Sequence, residues 1–194
     1  VYRTTHGSGY SGAFRAGLFH GKGIWRYASG RIYRGNFFKG LMAESDPGKT
    51  DRYGEEALFH AVRSGEEGRV LSLLERGANA RAVNRHGQTP LHFAAYENYT
   101  RIARMLVAHG AGVNSRDENG LTPLHLAAFE NRAEAALFLL CSGADANTPD
   151  IDGLRPLHLA AYRDSLETAR VLVEKGASIA ARDRYNRTPL YHAR

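Results

Sequence analysis

Apolar positions over most of this chain recur at a fixed interval of 33 residues, longer than the period of any single helix or strand. Leu91, Ala94 and Ala95 return as Leu124, Ala127 and Ala128 and again as Leu157, Ala160 and Ala161, a spacing that predicts a short helix in each unit. Leu106, Leu139 and Leu172 keep the same beat and predict a second helix packed behind the first. The paired alanines are small enough to let neighbouring units approach closely. Each first helix opens on a related tetrapeptide: Thr89-Pro90-Leu91-His92, Thr122-Pro123-Leu124-His125, Arg155-Pro156-Leu157-His158 and Thr188-Pro189-Leu190-Tyr191. A threonine oxygen suits the N-cap and proline the first helical position. Each second helix runs to a Gly-Ala pair at Gly77, Gly110, Gly143 and Gly176, where glycine takes the left-handed conformation at low cost. No such unit can bury its apolar face alone, so the units must stack.

The units run over residues 54–86, 87–119, 120–152 and 153–185, with a partial fifth at 186–194. Their Thr-Pro-Leu-His-x-Ala signature at this period resembles the ankyrin repeat. The resemblance implies a mainly α fold, a helix-turn-helix solenoid of about four repeats plus part of a fifth. The chain opens at Val1 and halts within the first helix of a unit, which predicts a fragment of a longer protein.

A different pattern fills residues 1–42. Tyr10, Gly12, Phe14 and Gly17 reappear 23 residues later as Tyr33, Gly35, Phe37 and Gly40. Tyr10 to Phe14 alternates as a strand does, as do Trp25 and Tyr27, and Gly17 and Gly30 suit the turns between. With His20, Gly21 and Gly23, the segment is similar to the MORN repeat, which implies a β-hairpin unit. The second copy departs from that pattern at Ala43 and Glu44, and His6-Gly7-Ser8-Gly9 is out of register. Residues 43–53 read as a linker.

Charge divides between the two parts. Residues 1–52 hold nine Lys or Arg against three Asp or Glu, a net of +6, while residues 53–194 hold 17 of each. A basic module of this kind attracts anionic surfaces, and the MORN resemblance implies the same. The candidate contacts with acidic phospholipid are Arg15, Lys22, Arg26, Arg31, Arg34 and Lys39; the alternative is a solvated basic face. Nothing approaches the run of roughly 18 apolar residues that a membrane span requires, and there is no recognisable signal peptide. The single cysteine, Cys141, excludes an internal disulfide and any multi-cysteine zinc site, so a reducing compartment, cytoplasmic or nuclear, is expected.

Signals of chemistry are weak. Ala43-Glu44-Ser45-Asp46-Pro47-Gly48-Lys49-Thr50 resembles a phosphate-binding loop, but such a loop joins a buried strand to a helix in a parallel sheet, and Glu44 and Asp46 would repel phosphate. His92, His125 and His158 stand on consecutive units whose helices lie about 8–10 Å apart, too far to share one ion. Each imidazole is expected to hydrogen-bond backbone instead. No catalytic residue, cofactor or metal is assigned, nucleic-acid binding is not expected, and the chain reads as a non-enzyme.

Recognition remains. In the ankyrin family the variable residues collect just after the Ala-Ala pair, along the concave face, and at the hairpin tips. Here the first set is Tyr96-Glu97, Phe129-Glu130 and Tyr162-Arg163, with Arg63 in the first unit. The second set is Arg85, His86, Glu118, Ile151, Asp152, Arg184 and Tyr185. An aromatic column would give rigid contact area to a protein partner; alternatively each ring folds down over its neighbouring helix. The order of modules is similar to that of ankyrin repeat and MYND domain-containing proteins, which would place a cysteine-rich zinc module outside this chain. The expectation is an adaptor or scaffold, with two alternatives: a membrane-associated scaffold, and the regulatory segment of a larger enzyme.

Overall fold

A computed structural model gives the chain as two compact units, residues 1–51 and 52–194. It describes the backbone of residues 2–3, 9–15, 18–26, 32–38 and 41–42 and of 52–193, with side chains from 56 to 193. The linker segment 43–50, with its phosphate-loop-like sequence, lies outside the described residues, as does Arg194.

The first of these, the N-terminal module, is an antiparallel sheet of β1 (Tyr2–Arg3), β2 (Gly9–Arg15), β3 (Leu18–Arg26), β4 (Ile32–Phe38) and β5 (Leu41–Met42), each strand beside the next in sequence. Trp25 of β3 is the register partner of both Tyr10 and Tyr33, and Gly23 is the partner of both Gly12 and Gly35. The 23-residue period is therefore the distance between the two strands that flank β3. Gly17 and Gly30, expected at the turns, lie outside the described residues.

The helical module is built from repeat units, each a helix pair: α1 (Arg52–Arg63) with α2 (Glu67–Glu75), α3 (Pro90–Tyr96) with α4 (Thr100–Ala108), α5 (Pro123–Phe129) with α6 (Ala133–Cys141), and α7 (Pro156–Tyr162) with α8 (Leu166–Glu174). A last short helix, α9 (Pro189–His192), opens the partial unit. The first helices α3, α5, α7 and α9 pack side by side, more closely than the second helices α2, α4, α6 and α8 do, so the layer of first helices is the inner one. Leu58, Leu91, Leu124, Leu106, Leu139 and Leu172 are fully buried, with the alanine pairs at the points of closest approach. Each buried leucine contributes about 1.5–3 kcal/mol of burial energy.

Polar ties hold the stack in register. His92, His125 and His158 are buried and do bond to backbone as expected. Nδ1 of His92 accepts the N–H of Thr89 at 3.0 Å, with Thr89 Oγ1 at 2.9 Å, while Nε2 donates to the carbonyl of Leu121, in the next unit, at 3.1 Å. His125 repeats this on Thr122 and Leu154, and His158 donates to Arg187. The second helices carry a further tie. Asn98 and Asn131 take left-handed backbone after the first helix. Their Oδ1 atoms accept the N–H groups of Ala135 and Thr168, at the start of the next unit's second helix. Asn114 and Asn147 each bond a carbonyl and an N–H of the following unit, Gly143 and Asp145 for the first, Gly176 and Ser178 for the second.

Hairpins join the units. Asp117 Oδ1 accepts from the N–H groups of Asn119 and Leu121, and Asp150 and Asp183 do the same two and four residues on. Backbone bonds link successive tips, Glu118 to His86, Ile151 to Asn119 and Arg184 to Asp152. Gly153 shows why glycine recurs there: its φ is +78° and a Cβ would stand 2.9 Å from the nitrogen of Arg184.

Two expectations follow. Arg155 occupies the threonine position, and its Nε is buried without a hydrogen-bond partner. Arg155→Thr should restore the hydroxyl contact to His158 and raise stability by about 1 kcal/mol, read as a higher midpoint of thermal unfolding. The second concerns acid. Burial lowers the pKa of all three framework histidines, that of His125 from 6.5 to about 4. The unfolded chain takes up protons that the fold refuses, so stability is complete above about pH 6.5 and is lost as pH falls toward 4. His125 alone accounts for about 3 kcal/mol of that loss. Thermal melts at pH 7.5, 6 and 5 should fall steadily, and His125→Gln should flatten the slope while lowering the melting temperature at neutral pH.

Candidate interaction surface

The residues after the alanine pairs close the first helices. Arg63, Tyr96, Phe129 and Tyr162 end α1, α3, α5 and α7, and Glu97, Glu130 and Arg163 follow as C-caps. Their surroundings differ from unit to unit. Tyr96 and Tyr162 are 39% and 50% exposed, whereas Phe129 is half-buried. The guanidinium of Arg163 stands 4.5 Å from the Phe129 ring centre and 3.6 Å from the Glu130 carboxylate. Arg163 therefore covers the middle ring, a cation–π arrangement that withdraws both Phe129 and Glu130 from the surface. The backbone carbonyl of Tyr96 accepts a hydrogen bond from Arg132 at 2.9 Å, fixing the end of α3.

Between the first and second units the inner face opens into two adjoining cavities, of about 580 and 280 Å³, that share Arg63 and Phe93. Phe59 and Phe93 meet edge to face at 5.8 Å, and Leu126 continues the apolar wall. The Arg63 guanidinium lies 5.8 Å over the Phe93 ring. Glu56 and His60 border one cavity and Tyr96 and Glu97 the other. Sequence reasoning singled out Arg63, Tyr96 and Glu97 here but missed Phe59, Phe93 and Leu126. Phe93, Leu126 and Leu159 share one position in the repeat and are all half-buried, an apolar series one turn ahead of the chosen column. Phe59 was visible as the only departure from histidine at its position in the four full units.

The hairpin tips divide in the same way. Glu118 and Ile151 stand exposed, and Arg85 donates to the imidazole of its neighbour His86 at 3.0 Å. Toward the other end the tips pair among themselves. Arg184 forms an ion pair with Asp152, and Tyr185 lies between Arg184 at 5.2 Å and Arg187 at 4.7 Å. Arg187 is also bonded to Asp183 at 2.8 Å. Burial opposes the charge on Asp183, but bonds from Arg187, His192 and the Tyr185 N–H prevail and hold its carboxyl well below the usual carboxylate range.

Of the basic set in the N-terminal module, Arg15, Lys22, Arg26 and Arg34 lie on β2, β3 and β4, and Arg31 and Lys39 fall outside the described residues. Ile24 pairs with Arg34 and Arg26 with Ile32, so Lys22, Arg26 and Arg34 share one parity of the register while Tyr10, Trp25 and Tyr33 share the other. Among the described residues no group of three His, Cys, Asp or Glu could hold a metal ion, and no helix is long and apolar enough to cross a membrane.

Comparison with known families agrees with this architecture. Ankyrin repeats match in three copies, over residues 27–117, 66–150 and 142–194, and a MORN repeat matches residues 10–30. No enzyme family is among the matches. No curated protein matches the chain significantly.

Proposed function

The chain belongs to the ankyrin repeat family, and on that premise we propose that it is a non-enzymatic adaptor or scaffold that binds a protein partner through the inner face of its solenoid. Ankyrin repeats suggest protein–protein interaction in general; the observation that carries the finer reading is the pair of cavities around Arg63 and Phe93. Partly exposed aromatic and apolar side chains line them, with charged groups at the rim, and the framework of the stack needs none of these charges. Deep aromatic contacts ringed by polar groups are where binding energy concentrates in protein interfaces. Tyr96, Glu97 and Arg63 are the leading contacts, with Tyr162 further along the same face, where Arg163 covers Phe129 and Glu130. The tips Arg85, His86, Glu118, Ile151, Asp152, Arg184 and Tyr185 form the polar rim. The MORN and ankyrin modules in this order support a place beside the ankyrin repeat and MYND domain-containing proteins, in a cytoplasmic or nuclear setting.

A second reading is favoured by the charge division: the basic module docks on acidic phospholipid while the repeats hold the partner. The parity of Lys22, Arg26 and Arg34 supports it, since like-charged positions of one parity can meet a planar anionic surface together.

Affinity capture from lysate with the whole chain should recover partners that the Arg63→Ala/Tyr96→Ala variant loses, each substitution weakening binding about tenfold or more. An unchanged partner list, with unchanged circular dichroism, would move recognition to the tips. For the second reading, co-sedimentation with phosphatidylserine vesicles should exceed that with phosphatidylcholine and fall as salt rises. Replacing Lys22, Arg26 and Arg34 by Glu should weaken it about a hundredfold, at about 1 kcal/mol for each basic residue. Equal binding to both vesicle types would remove the lipid reading and leave the protein reading intact.

A further inference from the structure

The junctions between units are not equivalent. The second and third units are tied by the His92 imidazole, by the Asn98 acceptor at the start of α6, by both ends of the Asn114 amide and by Arg132. The third and fourth units repeat the first three ties through His125, Asn131 and Asn147. The first and second units have lost the first two of those three ties and keep half of the third. Phe59 stands at the histidine position, so no imidazole crosses. Gly65 takes the left-handed position of Asn98 and Asn131 and brings no side chain to α4. At the first residue of that helix, Thr100 is buried with its hydroxyl unpartnered. Arg81 replaces Asn114 and Asn147 and makes one bond across, to the Gly110 carbonyl at 2.5 Å, where each asparagine makes two.

Among the described residues, the other contacts across this junction are the hairpin bonds between Asn84 and Gln88, the backbone bond from Glu118 to His86, an exposed Arg101–Glu67 pair at 3.6 Å, the Phe59–Phe93 edge contact with Arg63 over Phe93, and the Tyr99 ring against Gly65, beside the apolar core that both units share. The first cavity opens along this same line, walled by Phe59 and Arg63 on one side and Phe93 on the other, and the second runs on from Arg63 and Phe93 past Tyr96 to Leu126 of the third unit. In a stack where each unit touches only its neighbours, opening is decided junction by junction. We propose that the junction of the first and second units is a hinge: the first unit opens from the second as a body while the later units stay stacked, and the cleft between them changes width with it. The hinge stands on bonding and void alone and does not depend on the cleft's having a partner.

Hydrogen exchange of the whole chain, followed by mass spectrometry, tests this without a ligand. Amides of α1 and α2 should exchange about tenfold or more faster than those of α7 and α8, since each missing hydrogen bond counts for about 1 kcal/mol. Comparison with α7 and α8 controls for the fraying expected at either end of a solenoid. Gly65→Asn/Arg81→Asn, which supplies the missing acceptors, should slow α1 and α2 about tenfold and leave α5 and α6 unchanged. Should that variant misfold, Asn98→Gly/Asn114→Arg gives the second junction two of the three departures of the first and should speed exchange in α3 and α4 about tenfold, while the His92 tie remains. Protection of α1 and α2 equal to that of α5 and α6 in the native chain would overturn the hinge, as would an asparagine variant that folds and slows nothing.

Discussion

A single imidazole serving two units is the constraint on which the solenoid turns. One ring nitrogen of His92 or His125 closes the start of its own helix, and the other donates to a carbonyl 29 residues further on. Both partners are fixed backbone groups, so the ring sets the tautomer, the entry angle of the helix and the position of the next hairpin at once. Buried in apolar surroundings, it is held neutral, since a proton on Nδ1 would leave the Thr N–H without an acceptor. The alanine pairs let helices approach; the histidines decide in which register they do so.

The other ties extend this logic outward. Each asparagine tie spans about one repeat, from a carbonyl 29 residues on to an N–H 37 residues on, and satisfies a group that its own unit leaves open. The hairpins add backbone bonds between successive tips, at a spacing so close that Gly153 has no room for a Cβ. Burial of leucine supplies most of the stabilisation, but it is indifferent to small slips between units. The polar ties penalise a slip sharply, because it would leave several buried groups unpaired together.

Much of this was legible in the sequence, and the unread part has a clear physical origin. The 33-residue period, the proline at the start of each first helix and the glycine after each second helix gave the elements and their order, because those signals act within a few residues. The bonding of the histidines to backbone was legible from the ankyrin resemblance rather than from local signals, since one ring nitrogen reaches a carbonyl 29 residues on. The aromatic column was read by assuming that Tyr96, Phe129 and Tyr162, one period apart, share an environment. They do not, because Arg163 comes from the following unit to cover Phe129, and a side chain reaching back 34 residues leaves no mark at the position it covers. Phe59 carried a readable signal as a departure from histidine, but its meaning depended on Phe93 across the junction and on Arg63 one turn on in its own helix. The side chains of the basic module lie outside the described residues, and there the sequence remains the guide.

Those departures from the repeat make the two ends of the solenoid different. Toward the far end, cations close over aromatics and carboxylates: Arg163 on Phe129 and Glu130, Arg184 and Arg187 about Tyr185, Arg187 on Asp183. Charges spent on one another leave less for a partner, and desolvating such pairs would cost more than it returned. At the near end the same three positions that give up inter-unit ties, Phe59, Gly65 and Arg81, border the junction where the cavities lie, and Arg63 there faces an aromatic ring rather than a carboxylate. At Phe59, which walls the first cavity, looseness and accessible binding chemistry arise from one substitution. A unit perfectly matched to its neighbour would have had its inner face consumed by the match, and the first unit keeps that face open by fitting less well.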